Sequence, residues 1–170
     1  MFNQLFTIVA GAAILSTAPA GTSAPALRIE RHATFFTDSV RVANAIAEAE
    51  RLAAIGRVAD AGRRLRDAIG QQQAAGEYPG SAMWHLANVY YGDGREIDAA
   101  RVLDDLGDAA SEFGDPVTEL RARFESAVIY SHHGLSDRVV AQLAHVRKLL
   151  LSPVVDDATK LNVRERMGER

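Results

Sequence analysis

Apolar residues recur at helical spacing along most of this chain, in segments set apart by glycine-bearing breaks. The clearest stretch runs from Ser81 to Leu106. Met83, Leu86, Ala87 and Tyr90 fall at i, i+3, i+4 and i+7, which places them on one face of a helix. After Gly92-Asp93-Gly94 the stripe resumes as Ile97, Ala100, Val102, Leu103 and Leu106, predicting a second helix folded back on the first. Upstream, Thr37, Asp38 and Ser39 are candidate N-caps, since each short side-chain oxygen can accept from an orphan amide of the first turn. A helix then carries Val42, Ala45, Ile46, Ala49 and Leu52 inward. Gly56 ends it, and a return helix carries Val58, Ala61, Leu65, Ala68 and Ile69.

The segment from Gln71 to Gly80 reads as the longest break, with Gly76 suited to a helix end and Pro79 forcing Tyr78 out of helical geometry. Asp115-Pro116 marks a restart, because a capping carboxylate is followed by a proline whose missing N–H costs nothing in the first turn. A third hairpin follows around the turn at Gly134. Ser152-Pro153 stops it, and Asp156 or Asp157 caps a short charged segment. The pattern predicts an all-α fold of three antiparallel helix hairpins with a short C-terminal helix.

The central hairpin resembles a tetratricopeptide repeat. Met83 stands in the large first slot of that motif, Leu86 in its Leu slot, Ala87 in its small slot and Tyr90 in its Tyr slot. Ala99 and Leu103 take the Ala and Phe slots of the return helix. Ala49, Leu52, Ala61 and Leu65 match four slots of the first hairpin, where Ala45 and Glu48 depart from the two bulky ones. In the third hairpin Ala127, Tyr130 and Leu143 match, while Arg123, Ser126 and Val139 depart. Gly94 follows Gly56 by 38 residues and Gly134 follows Gly94 by 40, against about 34 for the family. The extra residues are expected in the connections between repeats. The resemblance implies a short right-handed solenoid, spanning residues 38–170, in which the first helices of successive hairpins line a concave groove.

Composition adds exclusions. The chain has 170 residues, 48% of them apolar, and a formal net charge of −3, too little for an electrostatic footprint directed at nucleic acid or anionic lipid. It has no cysteine, so disulfides, thiolate metal sites and a cysteine nucleophile are all excluded. Before Arg28 no side chain is charged, and the apolar run from Leu5 to Leu15 is shorter than the roughly 20 residues that span a bilayer. Ala18-Pro19-Ala20 and Ala24-Pro25-Ala26 follow as small-residue cleavage signals. Residues 1–26 are therefore expected to be a secretory signal peptide cut after Ala20 or Ala26. That expectation implies an exported protein, periplasmic or secreted, with no stable membrane insertion after cleavage. Residues 27–37 read as a lead-in whose Phe35 and Phe36 fold back on the first hairpin.

Trp84, Asn88 and Tyr91 lie one position round from the core stripe and form a second row on the same helix. In the third hairpin the matching row is Phe124, Val128, Ser131 and His132, with Arg121 one turn earlier. Trp84, Asn88, Tyr91, Arg121, Phe124 and His132 are thus the expected partner-binding groove, suited to an extended peptide or an amphipathic helix. The competing expectation has Trp84 and Phe124 packed between repeats. The carboxylate clamp of the family uses lysines that this groove lacks, which argues against chaperone C-terminal tails as ligand. Adjacent His132 and His133 point about 100° apart on a helix and cannot share an ion. Asp104, Asp105 and Asp108 read as a solvated acidic face beside Arg101. No metal, cofactor or catalytic constellation is expected. The leading expectation is a non-catalytic module that binds a protein or peptide. The alternatives are a helical small-ligand binder or enzyme with a pocket around Trp84, Tyr91 and His132, and a structural subunit of a larger assembly.

Overall fold

The computed structural model describes residues 39–168. The expected leader with its cleavage sites, the lead-in with Phe35 and Phe36, and the candidate caps Thr37 and Asp38 lie outside the described residues. Within them the chain is all-α. It comprises α1 (Val40–Ala54), α2 (Val58–Ala74), α3 (Gly80–Gly92), α4 (Glu96–Glu112), α5 (Pro116–His132), α6 (Ser136–Leu150) and α7 (Asp157–Arg166). Ser39 caps α1 by accepting from the Val42 amide, and Asp115 caps α5 by accepting from the Thr118 amide at 3.1 Å. Pro116 sits in the first turn of α5, as its missing donor allows.

One turn serves nearly every connection. Gly94 and Gly114 adopt φ of 75° and 71°, a left-handed conformation that a side chain would strain. The residue after each glycine then donates back across the helix end: Arg95 to the Tyr90 carbonyl at 2.9 Å, Asp115 to the Ala110 carbonyl at 2.8 Å. This closure satisfies carbonyls that the helix terminus leaves orphaned. The same bond joins Arg57 to Leu52, Glu77 to Gln72 and Leu135 to Tyr130.

Two expectations about length are corrected. The Gln71–Gly80 break is shorter than its composition suggests, because α2 continues through Ala74. Gln72 is buried there, and its amide donates to the Tyr78 carbonyl at 3.1 Å, which ties the helix end to the turn. The long spacing of the turn glycines also does not come from long connections between hairpins. The α4–α5 connection, residues 113–115, is as short as those inside the hairpins, whereas α2, α4 and α5 each run to 17 residues.

From α1 to α6 each helix packs against its neighbours in the chain; α1 also meets α3, and α7 meets α5. The larger core joins α1 to α5 through residues such as Val42, Leu65, Leu86, Leu103 and Ile129. A second cluster, around Leu120, Phe124, Val146, Leu149, Val155, Val163 and Met167, joins α5, α6 and α7. The C-terminal segment is therefore amphipathic rather than merely charged. The stripe read from the sequence lies inside: Met83, Leu86, Ala87, Tyr90, Ala99 and Leu103 are all buried.

Small residues set how closely the helices approach. Ala61, Ala87 and Ala99 are wholly covered, and the Tyr90 ring lies so near Gly62 that an added Cβ would stand 3.3 Å from it. Arg66 donates to the Tyr90 hydroxyl, and the Arg95 guanidinium sits 4.1 Å from the ring centroid. Tyr90 is thereby held on its face, its edge and its tip. Because Ala87 is wholly covered, Ala87→Leu should destabilise the protein by roughly 1–3 kcal/mol through overpacking. Chemical denaturation measures this directly; an unchanged midpoint would mean that α3 has room at this position.

Candidate functional site

The helix α3 presents two rows. Met83, Leu86, Ala87 and Tyr90 are buried, while Trp84, Asn88 and Tyr91 beside them are half-buried. Trp84 and Tyr91 rest their inner sides on the larger core and leave the rest uncovered. Burial raises the Tyr91 hydroxyl pKa, helped by the carboxylates of Glu96 on α4 and Glu125 on α5. Tyr91 thus stands where α3, α4 and α5 come together. His85, one turn from Asn88, reaches Glu50 of α1 at 3.4 Å.

The residues expected to complete this groove on α5 behave differently from one another. Phe124 is buried under the C-terminal cluster, with the Arg166 guanidinium 4.7 Å from its ring centroid. It is therefore not an open groove residue, because α6 and α7 cover it. Arg166 also makes a two-pronged pair with Glu125. Arg121 is half-buried and donates to the Thr159 hydroxyl at 3.2 Å. Burial lowers its pKa, offset by the nearby Asp156 and Asp115 carboxylates. Its charge serves α7, which corrects the expectation that it awaits a partner. His132 is exposed at the end of α5. The structure leaves Trp84, Asn88 and Tyr91 together on one helix and gives Arg121 and Phe124 to the packing of α7.

His133 Nε2 lies 2.7 Å from the Glu96 carboxylate and joins the end of α5 to the start of α4. Of the three aspartates of α4, Asp105 and Asp108 are exposed as expected, but the face is not merely solvated. Asp104 accepts from the Tyr130 hydroxyl at 2.7 Å and Asp108 from Arg123 at 2.6 Å, so two of the three grip α5. Burial and the Asp104 bond both raise the Tyr130 pKa. Asp105 is left beside two carboxylates, and its own pKa is raised by burial and by their repulsion. Arg101 pairs with Asp98 instead.

The least expected feature is a buried polar layer. Arg123 is 6% exposed, Glu119 8% and Gln142 7%. The guanidinium of Arg123 donates to Asp108 and, at 3.4 Å, to Gln142, while its Nε lies 4.0 Å from Glu119 and finds no hydrogen-bond acceptor. His145 stands 4.0 Å from the same Glu119 carboxylate. The side chain lies across Gly107 of α4, where an added Cβ would come within 2.8 Å of Arg123 Nε. The sequence does signal this layer: Arg123 and Ser126 occupy slots where the repeat pattern wants bulk, and Gly107 interrupts a helix without ending it.

Among the described residues no group of three or more His, Asp or Glu is arranged to hold a metal ion, and no helix is long and apolar enough to cross a membrane. Comparison with known proteins finds no family model, curated protein or solved structure that matches the chain.

Glycine-to-alanine substitutions separate the two kinds of helical glycine. Gly70 has open space around it, so Gly70→Ala should stabilise by about 0.5–1 kcal/mol through helix propensity. Gly107→Ala should instead destabilise by roughly 1–3 kcal/mol, since Arg123 is pinned at its far end and cannot withdraw. Urea midpoints of the two variants give the signs; two midpoints moving the same way would refute the distinction.

A pH prediction concerns the cap of α7. The Thr159 hydroxyl donates to Asp156 at 2.7 Å and the Thr159 amide donates at 2.8 Å, and these bonds hold the Asp156 carboxyl below the usual carboxylate range. A depressed folded-state pKa gives stability that is present above the unfolded value and lost as pH falls through the folded one. The contribution of Asp156 should therefore be intact at neutral pH and disappear below about pH 4. Asp156→Asn should remove that part of the acid dependence, as read from unfolding curves between pH 2 and pH 5.

Proposed function

We propose that the chain is a non-catalytic module that binds a protein or peptide, built as three antiparallel helix hairpins in a short right-handed tetratricopeptide-like stack closed by α7. Packing of α1 to α6 each on its chain neighbours, with α1 meeting α3 and α7 meeting α5, supports that arrangement. The repeated turn supports it too, since one closure between successive helices rotates each by a similar amount. The leader read from the sequence supports action outside the cytoplasm.

One observation carries the binding reading. Trp84, Asn88 and Tyr91 remain half-exposed in a row along α3, beside a stripe that is fully buried. Two large aromatics flanking a carboxamide offer apolar area with polar tips, which is the chemistry of an anchor for a peptide side chain. Arg121 and Glu125 are engaged by α7, so the open row is largely uncharged. An apolar or aromatic peptide segment fits it better than a free carboxylate does.

Stability and binding should separate in mutants. Leu86→Ala should cost roughly 2–5 kcal/mol, as for any buried leucine. Trp84→Ala should cost less, about 1–2 kcal/mol, because only part of its surface leaves water. Peptides selected on the intact chain from a random library should lose about 30-fold in affinity to Trp84→Ala, the equivalent of an aromatic hot spot worth about 2 kcal/mol. Fluorescence of Trp84, the chain's one tryptophan, should be partly quenched by acrylamide and protected by such a peptide. Selected peptides that bind Trp84→Ala undiminished would place the site elsewhere.

A further inference from the structure

We propose that the outward faces of α4 and α6 form an interface with a second copy of this chain, each acidic α4 lying against the basic α6 of the other copy. Between Arg138 and Val155 the chain has three cations, Arg138, Arg147 and Lys148, and no acid. On α6 and its C-cap, Val140, Ala144, Lys148 and Leu151 recur at i, i+4, i+8 and i+11 and are all exposed, Val140 at 55% and Leu151 at 83%. On α4, Asp105, Asp108 and Glu112 recur at i, i+3 and i+7 and are exposed as well. Arg147, Lys148, Asp105 and Glu112 enter no ion pair among the described residues. Burial and repulsion from Asp104 and Asp108 raise the Asp105 pKa, so this carboxylate stands to gain from a cation.

The two faces lie side by side at matching heights. Arg123 of α5 reaches Asp108 on α4 and Gln142 on α6, and Glu119 one turn away lies 4.0 Å from His145. Asp108 and His145 are 73% and 52% exposed, so the seam between α4 and α6 opens on one surface. The contacts His133 to Glu96 and Arg123 to Asp108 set α4 antiparallel to α5, and those of Arg123 to Gln142 and Glu119 to His145 do the same for α6. The helices α4 and α6 therefore run in one direction. With Asp108 level with Gln142, Asp105 stands level with Val139, beside Arg138. Glu112 stands level with Val146, beside Arg147. A two-fold axis along the helices keeps these heights while exchanging left for right. It brings Asp105 towards Arg138 of the second copy and Glu112 towards its Arg147 and Lys148, twice over in one closed contact. Val140 and Leu151 would leave water in the same strip. An anionic lipid surface fits less well, because it would also meet the acidic α4 beside the seam. The row on α3 takes no part, so this interface is independent of the peptide site.

Sedimentation velocity on the full chain tests this. At about 50 mM salt and about 100 μM protein the chain should be dimeric, and at about 1 M salt the dimer should weaken about tenfold or more. A monomer at low salt would overturn the proposal, and one that pellets with phosphatidylglycerol vesicles would give the α6 face to lipid instead. Two variants test the pairing. Arg147→Glu with Lys148→Glu makes both faces acidic, and Asp105→Lys with Glu112→Lys makes both basic. Each alone should be monomeric, since like charges then meet. An equimolar mixture should form a one-to-one heterodimer, since every contact then joins opposite charges. Variants that still dimerise alone, or that stay monomeric when mixed, would overturn the pairing. Should a reversed variant lose its helical circular dichroism, Lys148→Gln and Glu112→Gln replace it, each weakening the dimer about fivefold. An unchanged dissociation constant in both would count against the proposal equally.

Discussion

A guanidinium buried between three helices ties their positions to one another. Arg123 enters the molecule where the repeat pattern calls for a bulky apolar side chain, and it fits because Gly107 leaves space on α4. Its charge is met by Asp108 from α4, its Nη1 by Gln142 from α6, and Glu119 lies one turn away on its own helix. These partners hold only when α4, α5 and α6 keep one register. A slip of α5 along α4 would leave the charge buried and unpaired, which is among the most costly faults a core can have. Apolar surfaces tolerate small slips; this contact does not.

The same layer divides the molecule. On the N-terminal side, α1 to α4 and one face of α5 share a core built from small residues at close helix approaches and from Tyr90, gripped by Gly62, Arg66 and Arg95. On the other side α6 and α7 wrap the remaining face of α5. Aromatic stacking of Tyr78 on Phe113, with centroids 5.2 Å apart, joins the α2–α3 and α4–α5 turns. The division also decides which aromatics stay available. Phe124 lies within the C-terminal cluster and Arg121 is spent on the cap of α7. Trp84, Asn88 and Tyr91 lie at the margin of the larger core and stay half-exposed.

Much of the fold was legible because it rests on local signals. Helical spacing of the stripes, capping by Ser39 and Asp115, and glycines at the turns are written in short windows of sequence. The length of α2 was misread because a glutamine run looks like a break. Gln is a good helix former, and the Gln72 amide also reaches the Tyr78 carbonyl across the turn. The groove was half legible. Row geometry on α3 follows from its own periodicity, but the fate of Phe124 and Arg121 depends on where α7 lands, about 40 residues later in the chain. The partners of the α4 aspartates were hidden for the same reason. Their partners Tyr130 and Arg123 lie on the next helix, and nothing in the local sequence announces them.

The account stands on Arg123 and Gly107 being matched, and a double-mutant cycle between them tests that most directly. In the wild-type background an added methyl at Gly107 meets the guanidinium stem. With Arg123→Ala the stem is gone, and the same methyl enters vacated space while gaining helix propensity. Gly107→Ala should therefore be destabilising in the first background and neutral or stabilising in the second, with a coupling of about 1–3 kcal/mol between the two sites. An equal cost in both backgrounds would contradict the match, and with it the claim that this buried guanidinium sets the register of the helices around it.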